Sequence, residues 1–154
     1  MMSADQRQQR LLELIHRPVS SRLVQYVTQQ ARLVIPCQMT GTPSMPMLPS
    51  LGSFIQSLIK RSCVKPGTLL ATLVFLERLQ RRLAHLARGM PCTCHRVFLA
   101  TLIVASKSLH DTSPKNKHWA RYAVHFTVSE INLMEQQLLT LMVSKLRSSQ
   151  RPFF

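Results

Sequence analysis

Apolar positions recur at helical spacing along most of the chain, and prolines or polar runs interrupt them. Residues 6–16, "QRQQRLLELIH", predict a short helix stopped at Pro18. In "PVSSRLVQYVTQQARLVIP", Leu23, Val27, Ala31, Val34 and Ile35 fall on one face of an amphipathic helix. Ser20 and Ser21 are its cap candidates, and Pro36 closes it. "CQMTGTPSMPMLPS" has no periodicity and reads as a proline-rich linker.

Five further helices are predicted after the linker. "PSLGSFIQSLIKRS" places Leu51, Phe54, Ile55, Leu58 and Ile59 on one face, with Ser50 as cap. "VKPG" then breaks the chain. "TLLATLVFLERLQRRLAHLA" turns Leu69, Leu70, Leu73, Leu76 and Leu83 inward, and Gly89 and Pro91 end it. The next segment, "HRVFLATLIVASKSL", has Thr93 as its cap candidate. From Val97 to Ala105 only Thr101 is not apolar. A helix apolar on all sides is a central one, wrapped by others. "SPKNKHWARYA" is a shorter helix. The last, "TVSEINLMEQQLLTLM", aligns Ile131, Met134, Leu138, Leu141 and Met142, and Thr127 with Glu130 makes a capping box.

The pattern is all-α: an orthogonal five-helix bundle around its third helix, with helical segments before it. The segments divide as residues 1–18, an N-terminal helix at 19–36, a linker at 37–49, the bundle at 50–142 and a basic tail at 143–154.

Composition agrees. The chain has 154 residues, 45% apolar, with only 4 glycines, which argues against a sheet-rich fold. No apolar run is long enough to cross a membrane, and the polar N-terminus lacks the core of a signal peptide, so the protein reads as intracellular. Cys37, Cys63, Cys92 and Cys94 are too scattered for a disulfide framework. "Cys92-Thr93-Cys94-His95" lacks the second ligand pair that structural zinc requires, and no metal or other cofactor is expected.

Twenty Lys and Arg against six Asp and Glu give a net charge of +14, which suits an anionic partner such as nucleic acid. The charges are dispersed, and their densest run, "RLQRRLAHLAR", interleaves with leucines as a solvated helix face does.

No catalytic constellation emerges. Asp5, Glu13, Glu77, Asp111, Glu130 and Glu135 form no acid/base pair, and no phosphate loop or nucleophile motif is present. Two charges stand out. Lys107 continues the face of Ala100, Ile103 and Val104, where an unpaired lysine is costly. Glu135 borders the stripe of Ile131, Leu138 and Met142. Two readings stay open for Lys107: a last-turn lysine on the helix dipole paired with Asp111, or a group that needs another anion. Glu135 reads either as its complement or as a partly exposed helical carboxylate.

The blocks "PSLGSFIQSLI", "TLLATLVFLERL", "CTCHRVFLATLIVASKSLHDTSPKNKHWARY" and "FTVSEINLMEQQLL" together resemble the cyclin box of fungal PCL-type cyclins, from about Ser20 to Leu141. The resemblance implies a five-helix bundle without catalytic activity. The implied partner is a cyclin-dependent kinase of the phosphate-signalling class, met in the nucleus and cytoplasm. Lys107 and Glu135 match the family's kinase-binding lysine and glutamate. Trp119 is expected to pack the short helix onto the bundle, and is a further, weaker candidate contact. Glu77 matches an internal ion-pair position, with Arg61 or Arg96 as partner. Asp111 and Ser113 are expected to end one helix and cap the next, with Pro114 in its first turn. A basic cyclin-fold module that binds nucleic acid, like a transcription factor, is the alternative. The tail departs from the family pattern: "VSKLRSSQRPFF" stands where more chain is expected, and Val143-Ser144 is what a splice-donor sequence encodes, so it reads as intron read-through.

Overall fold

The computed structural model describes residues 2–16, 19–34, 49–86 and 93–143, and their regular structure is entirely helical. The helices are α1 (Ala4–His16), α2 (Ser21–Val34), α3 (Leu51–Ser62), α4 (Pro66–Leu86), α5 (Thr93–Leu109), α6 (Asn116–Ala123) and α7 (Val128–Val143). Residues 37–48 of the linker expected over 37–49, the Pro18, Pro36 and Gly89–Pro91 stops, Ile35, the side chains of Val34 and Leu83, Cys37, Cys92 and the tail beyond Val143 lie outside the described residues.

Local chemistry starts most of these helices. Ser20 Oγ accepts the Leu23 amide at 3.2 Å, and Ser50 Oγ accepts the Ser53 amide at 3.2 Å. Each bond satisfies one amide that the first turn leaves unpaired. The capping box of α7 is reciprocal: the Glu130 amide donates to Thr127 Oγ1 and the Thr127 amide to Glu130 Oε1, both at 3.2 Å. A second box opens α1, where Ser3 and Gln6 exchange the same two bonds. Its Ser-x-x-Gln signal lies just before the predicted helix. Pro66 is the first residue of α4, so "VKPG" opens the helix as well as breaking the chain. Proline suits that position because its missing amide had no helical partner there.

The start of α6 differs from expectation. Ser113 and Pro114 lie in the connection, and Lys115 occupies the cap position with no side-chain cap bond. The backbone of Lys115 is still extended (φ −72°, ψ 160°). Its carbonyl accepts the amides of His118 and Trp119, so the first turn closes two residues later than Pro114 would place it. Asp111 sits in a turn after α5, and the neighbouring His110 ring bonds Thr68 Oγ1 of α4 at 3.1 Å.

The core forms around α5. Val97, Phe98, Leu99, Ala100, Leu102, Ile103, Val104 and Ala105 are all buried, as the unbroken apolar run requires. Thr101 survives among them because its hydroxyl donates to the Val97 carbonyl at 2.7 Å. Helices α4, α7 and α3 pack on α5, and α6 rests chiefly on α7 and α3. The inward residues expected on α3 are all buried. On α4, Leu69 and Leu76 are buried, Leu70 and Leu73 are half-buried, and Leu79 joins the core as an addition. On α7, Ile131, Met134 and Leu138 are buried, while Leu141 and Met142 are half-buried.

Helix α2 closes one side of the bundle with Val27 and Ala31 against α3 and α4. Its approach to α3 is close at Gly52, where a Cβ would meet the Arg32 guanidinium and Thr28. Helix α1 lies on α4.

Candidate functional site

Lys107 sits in the last turn of α5, where the buried run gives way to solvent. Its ammonium lies 2.8 Å from Glu135 Oε2 and 3.0 Å from Glu135 Oε1, across from α7. The lysine side chain is 37% exposed and the glutamate 14%, so the pair opens to solvent mainly on the lysine side. The two residues singled out in the sequence are therefore brought together. Asp111, the alternative partner for Lys107, is exposed in the turn beyond, and the ion pair is made with Glu135. A carboxylate on a facing helix can meet a last-turn lysine as readily as one four residues along the same chain.

Asn116, the first residue of α6, completes the arrangement. Its Oδ1 accepts from Lys107 Nζ at 3.0 Å, and its Nδ2 donates to Glu135 Oε1 at 2.9 Å. The same Nδ2 donates to Asn132 Oδ1 at 2.7 Å, one turn before Glu135 on α7. Three helix segments thus converge on one polar cluster. Sequence reasoning missed both asparagines. Asn116 meets partners 9, 16 and 19 residues away, so no local spacing marks it.

Around the cluster the surface of α7 is partly apolar. Val128, Asn132, Glu135, Leu139 and Val143 fall on one stripe by helical spacing. Val128, Leu139 and Val143 are exposed at 40%, 44% and 83%. The inward stripe of the same helix is already spent on the core, so these side chains are available to a partner.

The other candidates take different places. Trp119 is wholly buried, with its ring edge-on to Tyr122 at 5.7 Å. It packs α6 onto the bundle, the first of its two expected roles, and presents no surface, which corrects its place among the candidate contacts. Glu77 is exposed on α4. Arg96, one of its two expected partners, instead pairs with Glu130 at 3.1 Å and lies over the Phe126 ring at 5.5 Å. Glu130 is held at the start of α7 by its capping box, so it is in place for Arg96. Among the described residues the ion pairs are these two, Arg96–Glu130 and Lys107–Glu135.

A central helix wrapped by its neighbours, with a charged pair at its solvent end, is the arrangement implied by the resemblance to the cyclin box. The chain belongs to the family described as cyclin, N-terminal domain, which matches residues 20–147. It is 41% identical over 142 residues to PHO85 cyclin-1 of Saccharomyces cerevisiae, covering 87% of this chain and 51% of that protein. It is 39% identical over 132 residues to PHO85 cyclin-2 of the same yeast, covering 84% of this chain and 43% of that one. Cyclin-U3-1 of Arabidopsis thaliana is 24% identical over 104 residues, 68% of this chain and 46% of that one. The chain thus spans about half the length of the curated relatives it matches. No solved structure matches it.

Proposed function

We propose that this chain is a regulatory subunit that binds and activates a cyclin-dependent Ser/Thr kinase of the phosphate-signalling class inside the cell. The observation that carries the reading is the Lys107–Glu135 pair, half-open to solvent beside the exposed apolar stripe of α7. Family membership and the similarity to proteins named PHO85 cyclins support it over the nucleic-acid alternative.

The physics of the site suits docking. In the free chain the pair contributes about 0–1 kcal/mol to stability, because solvent screens it. The exposed side of the ammonium and the remaining carboxylate lone pairs suit polar backbone groups of a partner. Docking against the apolar stripe removes water from the pair. Removing one member then leaves the other buried and unpaired, which costs about 2–5 kcal/mol at such interfaces. Activation is positional. The surface of α5 and α7 packs on the kinase's mobile αC helix and brings its glutamate to the lysine that holds the ATP phosphates. The chain itself supplies no catalytic group to that reaction.

Affinity purification of the chain from fungal cells, followed by mass spectrometry, tests the reading. A cyclin-dependent kinase is expected among the stoichiometric partners, and its activity toward a protein substrate is expected to rise on adding the chain. Recovery without any such kinase would count against the proposal.

A further inference from the structure

We infer that Asn116 is the positioning residue that holds Lys107 and Glu135 in the geometry a partner meets. The inference rests on the kinase-binding reading of that pair.

The pair alone lacks a fixed arrangement. Lys107 and Glu135 are long, flexible side chains, and an exposed ion pair between two such chains is held weakly. A partner that needs one arrangement must then supply the ordering free energy at the moment of binding. Asn116 removes that need. Its carbonyl oxygen takes the ammonium at 3.0 Å, and its amide nitrogen serves the carboxylate at 2.9 Å. Only one orientation of the amide satisfies both charges, because the opposite one would turn NH2 toward NH3+ and oxygen toward carboxylate. Asn132 fixes that orientation from the far side by accepting from the same Nδ2 at 2.7 Å.

The side-chain type is specific to the task. Aspartate has the same length and would still accept from Lys107, but it would set a second carboxylate against Glu135. Alanine would leave both charges to find their own positions. The backbone placement is equally defined. Asn116 is the first helical residue of α6, one position past the Lys115 cap, so its Cα is set by the turn that Lys115 closes.

The test has one arm in the free chain and one with the kinase. In the free chain, carbon relaxation at Lys107 Cε reads the order of the side chain. Asn116→Ala and Asn116→Leu are both expected to make Lys107 as mobile as an ordinary surface lysine, since each removes the acceptor for its ammonium. Leucine keeps the size of the side chain, so the second variant stands if the first folds poorly. With the kinase that co-purifies, Asn116→Ala is expected to weaken binding about tenfold while Lys107 is present. In a Lys107→Ala background the same substitution is expected to cost less than in the wild type, since one of the two groups it positions has gone and only the bond to Glu135 remains. Unchanged Lys107 order in both variants would overturn the inference. So would losses that simply add in the double variant, as a purely structural role predicts. If the wild-type chain binds no kinase, the functional reading fails, and the relaxation arm still decides whether Asn116 orders the pair.

Discussion

Lys107 and Glu135 are 28 residues apart in the chain, and their charged groups are 2.8 Å apart in space. The relationship depends on two independent pieces of local structure. The long buried run of α5 carries Lys107 to the edge of the core before the helix ends. The Thr127–Glu130 capping box fixes where α7 begins, and hence which turn of α7 presents Glu135. Neither segment makes the site alone.

The capping box gives a first prediction. Thr127→Ala removes the acceptor for the Glu130 amide and is expected to cost about 1 kcal/mol. Urea denaturation should show a lower midpoint with an unchanged slope. A midpoint equal to that of the wild type would mean that the first turn of α7 does not depend on its cap.

Val124 gives a second. It lies between α6 and α7 at φ 70°, ψ −44°, and the His125 amide reaches back to the Ala123 carbonyl at 2.8 Å. This is a γ-turn centred on a β-branched residue, a strained conformation. The side chain is 57% exposed, so it contributes little packing in return. Val124→Gly is expected to stabilise the domain by about 1 kcal/mol, since relief of strain exceeds the added freedom of glycine in the unfolded chain. Val124→Ala keeps a Cβ at positive φ and should bring less. A destabilised glycine variant in thermal melts would contradict the assignment of strain.

His95 sets a pH dependence. It is buried, its ring lies edge-on to Phe54 at 5.1 Å, and its Nε2 donates to the Pro49 carbonyl at 2.7 Å. Burial pushes its pKa below the ordinary imidazole range. The bond to Pro49 opposes that shift, and the neighbouring charge of His125 adds to it. The unfolded chain therefore takes up this proton before the folded one does. Stability from His95 is complete above about pH 6.5 and declines as pH falls through that value toward the lowered pKa. Melting temperatures across this range should fall more steeply for the wild type than for His95→Gln. Parallel curves would show that His95 does not govern the acid side.

Much of the fold was legible because its causes are local. The caps at Ser20, Ser50 and Thr127, the inward faces of α3 and α7, and the central place of α5 all follow from spacings of a few residues. What the pattern left open depends on contacts between distant segments. Arg96 had carboxylates on two helices to choose from, and the capping box decided for Glu130. Trp119 reads first as a packing residue, and only the docking of α6 on α7 and α3 removes the surface alternative. The site was half legible. Lys107 and Glu135 interrupt apolar faces and so draw notice, whereas Asn116 and Asn132 are ordinary polar residues whose role exists only after three helices meet.

In the proposed complex the kinase docks on the Lys107–Glu135 face. The most direct measurement is the dissociation constant of the purified chain with its co-purifying kinase, for wild type, Lys107→Ala and Glu135→Ala, alongside thermal melts of each. Binding should weaken more than about tenfold in each variant, with melting changed by no more than loss of an exposed ion pair allows, about 1 kcal/mol or less. Wild-type affinity in both variants would contradict the account.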